Sequence, residues 1–192
     1  MFTSVDLPDP AAAQATGPSR GTRLGWVALV VVLGVGVDQW SKQLARDRLA
    51  EREWTYLAGS VRLVHAENSG AFLSLGDALS PRARFAVFVG ANTVLLVFVL
   101  GYALAGPLAT TGELACYALI LAGGAGNMID RVAKGTVTDF VQLRAGPVGT
   151  GIFNVADVAI MGGVIAILVV GRSAGAVASG AGRGNLNSEA SP

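Results

Sequence analysis

Leu121-Ala-Gly-Gly-Ala-Gly-Asn-Met-Ile-Asp-Arg131 is the stretch on which the reading of this chain turns. It starts as small, apolar sequence of the kind that lets membrane helices approach closely. It ends on Asn127, Asp130 and Arg131, groups that are costly to hold at bilayer depth. Asn127 and Asp130 are three apart and share one face of a helix. A polar pair closing an apolar helix is a candidate site, and the rest of the chain is read by asking what meets it.

The composition agrees with a lipid setting. Of 192 residues, 52% are hydrophobic and 14% charged, with a mean hydropathy of +0.55. A soluble domain carries about 25% charged residues, so the deficit points to membrane. The net charge of +1 gives no basis for a nucleic-acid partner. Cys116 is the single cysteine and lies in an apolar run, which excludes an intrachain disulfide framework. It reads as a small buried apolar residue.

Four apolar segments stand out: Leu24–Val37, Phe85–Gly106, Leu114–Ile129 and Val158–Gly171. Their long continuous runs with internal Gly and Ala predict membrane helices rather than strands. Phe85–Gly106 is long enough to span alone. The others give about 21–24 Å against a hydrocarbon core of about 30 Å, so their polar flanks must complete the span. The expected fold is an all-α membrane protein of four transmembrane helices, residues 24–171. Residues 1–23, rich in Pro and Ala, and 172–192, rich in Gly, Ala and Ser, are expected as disordered tails.

Alternating the direction of four spans puts Asp38, Asp130 and Asp157 on one membrane side. The connections Lys42–Arg84 and Val132–Val155 lie there too, with Pro107–Glu113 as a short turn opposite. Within those connections Thr55–Val64 and Thr136–Leu143 are β-branched and aromatic with some alternation. They predict a small extramembrane β-element over the helix ends.

Asp130 and Asp157 are 27 residues apart on consecutive antiparallel helices, so they can face each other. Two close carboxylates cannot easily both ionise, and the pair then offers a base for water and an acid for the leaving amine. The same residues are also readable as two helix-end charges among lipid headgroups, with Asp130 paired to Arg131. Each Asp has an Asn three before it. Asn127 and Asn154 can orient a carboxylate or a peptide, and Asn154 equally reads as the cap of the fourth helix. Asp38 and Lys42, four apart, read as an interfacial ion pair with Lys42 reaching to water. Asn68-Ser-Gly-Ala-Phe72 is a polar turn, Asp139 is a strand-end charge or a third carboxylate, and His65 receives no role.

Five boxes of this sequence resemble those of lipoprotein signal peptidase (signal peptidase II): Asp38-Gln-Trp-Ser-Lys42, Asn68-Ser-Gly-Ala71, Gly123 to Arg131, Val137-Thr-Asp-Phe140 and Phe153-Asn-Val-Ala-Asp157. The resemblance implies that Asp130 and Asp157 are the catalytic aspartates. It implies binding or orienting roles for Asn68, Gly70, Asn127, Arg131, Asn154 and Ala156, and support from Asp38, Lys42 and Asp139. The family cleaves diacylglyceryl-modified prolipoproteins on the N-terminal side of the lipidated Cys, at the outer leaflet of the bacterial cytoplasmic membrane. It uses no metal or other cofactor. The implied partners are lipid-modified prolipoproteins and membrane lipids, with the enzyme a monomer. Two positions depart from the family pattern: Phe72 follows Ala71 directly, and Val158 stands where Ser is frequent.

Charge points the other way on orientation. Ten Lys and Arg fall on the site side and four on the opposite side, a bias that would set the site in the cytoplasm. Two rival functions are weighed as well. A proton-coupled transporter or channel would place ionisable groups near the midplane, often with repeats. A metal-dependent membrane transferase would use Asp130, Asp139 and Asp157 around Mg²⁺.

Overall fold

The computed structural model describes residues 18–70, 80–107 and 110–169. The turn expected at 68–72 is described only to Gly70, so Phe72 lies outside the described residues, as do 1–17 and the C-terminal tail.

The first helix, α1 (Arg20–Leu49), is longer at both ends than its apolar run. Ser19 caps it by accepting from the Thr22 amide at 3.3 Å. Residues 20–23, expected within a tail, are therefore helical. Arg23 fixes that start, donating to the carbonyls of Pro18 and of Gly106 at 2.9 and 2.7 Å. At its other end α1 continues well past Asp38, because Asp38, Lys42, Ala45 and Leu49 form one buried stripe at helical spacing. Two of the four are charged, so a hydrophobicity scan sees the stripe as solvent.

Helix α2 (Pro81–Ala105) starts on Ser80 and carries Pro at its first turn. Helix α3 (Thr111–Lys134) opens with a reciprocal capping box between Thr110 and Glu113 and closes on Gly135 at φ 79°. Helix α4 is described over Val155–Val169. Three helices, α1, α2 and α3, are long and apolar enough to cross a membrane, while the described part of α4 is shorter.

Four antiparallel strands form one sheet in sequence order: β1 (Trp54–Tyr56), β2 (Val61–Asn68), β3 (Val137–Ala145) and β4 (Val148–Gly149). Its register pairs Leu63 with Val141, shifts, and then pairs Ala66 with Asp139. A bridge between Val141 and Phe153 stitches the sheet to the residue before Asn154. The β-element expected from the two connections is thus present, and it meets the entry of α4.

Helix α3 is the centre of the packing, and its small residues explain why. A Cβ at Gly123 would stand 2.3 Å from the Ala156 carbonyl, so α4 rests on bare α3 backbone. Val27, Val99, Ala103, Leu114, Ala118 and Leu121 close the apolar core. Around them Val32, Leu33, Val94, Phe98 and Leu168 face outward and exposed. An apolar girdle of that extent belongs against lipid. The fold is mostly helical, a membrane protein with a small antiparallel sheet.

Candidate active site

The polar centre begins with Lys42, whose side chain is fully buried. Its Nζ sits 2.8 Å from Asp38 Oδ2 and 3.0 Å from Asp130 Oδ2, and donates to Asn127 Oδ1 at 2.8 Å. The lysine expected to reach to water instead points inward. A buried ammonium is tolerable only with charged and hydrogen-bonding partners, and here it has both.

Asp38 divides its two oxygens. Oδ2 takes Lys42, and Oδ1 accepts the backbone amide of Ala156 at 3.0 Å, in the first turn of α4. A carboxylate beside a helix N-terminus is favoured by the free amides there. Asp38 thereby joins α1 to α4 next to α3.

Asp130 is equally buried and surrounded by cations. Besides Lys42, its Oδ1 lies 3.3 Å from Lys134 Nζ and 4.0 Å from Arg46 Nη1. Arg131 is not its partner; that guanidinium lies over the Phe88 ring, 5.9 Å from the centroid.

Asp157 is only half-buried and has no ion pair among the described contacts. Its Oδ1 accepts from Asn127 Nδ2 at 2.9 Å, and its Oδ2 from the Asn154 backbone amide at 3.1 Å. Its own amide donates back to Asn154 Oδ1 at 3.0 Å. Asn154 and Asp157 thus form the reciprocal cap of α4, and the two readings of Asn154, cap and orienting group, coincide.

The same Asn154 carries Asp139 on its other side, donating through Nδ2 to Asp139 Oδ1 at 2.6 Å. Asn68 Nδ2 donates to the second oxygen at 3.0 Å, while Asn68 Oδ1 accepts the Gly70 amide at 2.9 Å. Asp139 is buried, and its pKa is pushed up to about 6. Burial is the main cause; Asp157's charge adds to it, and the bonds from Asn68 and Asn154 oppose it.

The contacts group the carboxylates differently from the pair expected from the sequence. Asp130 and Asp157 are linked indirectly, through Lys42 and Asn127. Asp130 is held by two lysines and closed to solvent. Asp139, expected in support, is the carboxylate electrostatically coupled to Asp157 and bonded to the same asparagine. Nor do the three carboxylates of the Mg²⁺ reading converge: no group of three or more His, Cys, Asp or Glu among the described residues is placed to hold a metal ion.

Several contributors escaped the sequence reading. Gln39 bridges Asp38 Oδ2 and the Gly126 carbonyl. Arg46 donates to Thr138, which donates on to Glu67. Asn92 donates to the Gly124 carbonyl at 3.1 Å, tying α2 to α3. Only Asn92 carried a usable signal, an amide inside a long apolar run.

Comparison with known proteins places the chain in a family. The family model for signal peptidase (SPase) II matches residues 30–171. The lipoprotein signal peptidase of Xanthomonas euvesicatoria pv. vesicatoria (strain 85-10) is 37% identical over 163 residues, covering 83% of this chain and 90% of that protein. The one from Yersinia enterocolitica serotype O:8 / biotype 1B is 34% identical, covering 80% and 88%. A bacterial membrane enzyme solved by the in meso method shares the fold, with a TM-score of 0.68 at 24% identity over 76% of this chain and 92% of that one. With the family model spanning most of the chain and relatives above 30% identity along nearly their whole length, this protein belongs to the signal peptidase II family.

Proposed function

We propose that this chain is a membrane aspartic endopeptidase that removes signal peptides from diacylglyceryl-modified prolipoproteins, cutting on the N-terminal side of the lipidated Cys. Family membership carries the reaction class. The observation that supports this choice of carboxylates is the placement of Asp139 and Asp157 on one asparagine, coupled in charge and unequal in surroundings.

In this reading Asp139 and Asp157 share one proton. The ionised member takes a proton from a water as its oxygen bonds to the scissile carbonyl carbon. The protonated member gives its proton to the amine as the carbon–nitrogen bond breaks. Asp130, Asp38 and Lys42 hold the three helices in register. Asn68, Gly70, Asn127, Arg131, Asn154 and Ala156 line or orient the peptide's path.

The reading extends to four spans, with α4 as the fourth, and to a monomer in the bacterial cytoplasmic membrane with its site toward the outer leaflet. The excess of cations on the site side is compatible with that orientation, since many of them are committed within the fold. Lys42 and Lys134 serve Asp130, Arg46 serves Thr138, and Arg62 pairs with Glu53.

The test uses membranes containing the full chain. The diacylglyceryl-modified precursor should be shortened far faster than the unmodified one, with or without a chelator. Equal rates on both precursors would remove the lipid from the specificity, and loss of activity on chelation would favour the metal-dependent reading.

A further inference from the structure

The lipid-facing surface of α1 continues onto the sheet. Leu33, Val37, Trp40 and Leu44 are all exposed and stand on one face of α1 at helical spacing. That stripe belongs to the apolar girdle, and it runs into a groove of about 260 Å³ between the last turns of α1 and the sheet. Leu44, Ala45 and Leu49 form one wall, and Trp54, Leu63 and Phe140 the other. Arg48, one turn beyond Leu44, closes the stripe with a side chain whose stem can lie along lipid while its head reaches water.

Strands β1 and β2 sort their side chains by face. In register, Trp54 opposes Leu63 and Tyr56 opposes Val61, while between them Thr55 opposes Arg62, which opposes Gln142 on β3. Cross-strand partners share a face and neighbours alternate. One face therefore holds Trp54, Tyr56, Val61 and Leu63, and the other Thr55, Arg62 and Gln142. The polar face suits water, with Arg62 paired to Glu53 and donating to Gln142 at 3.3 Å. The apolar face lines the groove, and Trp54 and Tyr56 on it are exposed. An exposed Trp and Tyr beside an apolar stripe match the aromatic belt of a membrane–water interface.

We propose that the apolar face of β1 and β2 rests on the bilayer interface, and that an acyl chain of a membrane phospholipid fills the groove between α1 and the sheet. The occupant is argued from continuity, since the stripe that leads into the groove already faces lipid. A chain so placed braces β3 at Phe140, the residue after Asp139. The proposal stands apart from the assignment of the catalytic carboxylates and is tested without reference to cleavage.

The chain has three tryptophans, Trp26, Trp40 and Trp54. Trp26→Phe/Trp40→Phe leaves Trp54 as the only emitter. The full chain is reconstituted in phosphatidylcholine vesicles, plain or brominated near the top of the acyl chains. Bromine quenches a tryptophan that it touches, so Trp54 should lose most of its emission in the brominated vesicles. Moving the emitter by one residue, in Trp26→Phe/Trp40→Phe/Trp54→Phe/Thr55→Trp, turns it to the polar face and should restore the emission. A diacylglyceryl-modified peptide in excess should leave the quenching of Trp54 unchanged. Unquenched Trp54, or equal quenching at both positions, would overturn the proposal. Relief of the quenching by the peptide would overturn it too, giving the groove to the lipid of the substrate. Should either variant unfold at a lower temperature than wild type, a nitroxide on Tyr56→Cys in Cys116→Ala supplies the second reading. Oxygen dissolved in the bilayer should relax that label more than a water-soluble paramagnetic ion does, and the reverse order would equally overturn the proposal.

Discussion

Asn154 donates through Nδ2 to Asp139 Oδ1 at 2.6 Å, and this bond makes one centre out of the sheet and the fourth helix. Asp139 arrives on β3 and Asn154 at the cap of α4, with the Val141–Phe153 bridge bringing the two together. Because Asn154 also caps through Asp157, any movement of the sheet relative to α4 would be felt by both carboxylates.

The first expectation concerns Lys42. Lys42→Met leaves Asp38 and Asp130 buried beside each other without their shared cation. Removing one partner of a buried ion pair costs about 3–5 kcal/mol. Thermal unfolding in detergent should show a large drop. A change within the range of an ordinary surface substitution would mean that Lys42 reaches water after all.

Acid should reveal Asp139. Its pKa rises from 3.8 to about 6 on folding, so between those values the native state binds more protons than the unfolded one. Asp139's contribution to stability is then complete below about pH 4, declines as pH rises, and is gone above about pH 6, an effect of at most about 3 kcal/mol. Unfolding measured across that window should therefore lose part of its pH slope in Asp139→Asn. An identical slope in both proteins would contradict the shift.

Close packing gives a paired test on α1 and α3. A Cβ at Gly126 would stand 2.5 Å from Asp38 Oδ2, whereas one at Gly36 would meet nothing within 4 Å. Gly126→Ala should destabilise by about 1–3 kcal/mol. Gly36→Ala should be neutral or stabilising by up to about 1 kcal/mol, since Ala is the better helix former. Reversal of that order would mean that α1 does not lie against α3 as described.

Orientation is open to labelling. Val148, exposed in β4, becomes the only thiol in Cys116→Ala/Val148→Cys. An impermeant thiol reagent added outside intact cells should react with it. Labelling only after lysis would place the site in the cytoplasm, as the charge bias suggests.

The helices were legible because the cost of placing a side chain in lipid is local, and each apolar run announces itself. The Asn–Asp spacings were legible for the same reason, since polar groups at span ends need an explanation. Lys42 was not, because its fate depends on Asp130, 88 residues away on another helix. That pairing also hid the true length of α1, whose buried stripe is half ionic. Asp139 was seen, but its surroundings were not. Its raised pKa comes from burial and from Asp157, and neither is written in the local string Thr138-Asp-Phe140. Asp130 drew attention because it closes a helix, yet its surroundings suit an anchor.

The most direct measurement is cleavage of a diacylglyceryl-modified prolipoprotein by purified Asp139→Asn enzyme, compared with wild type at equal folded concentration. Asn keeps the shape and can accept one of the two bonds that Asn68 and Asn154 donate, but the group can neither accept nor hold the shared proton. The account predicts that turnover per folded molecule falls by several orders of magnitude, beyond what any lowering of the unfolding temperature explains. Turnover within a few-fold of wild type would contradict it, and would return the second catalytic role to Asp130.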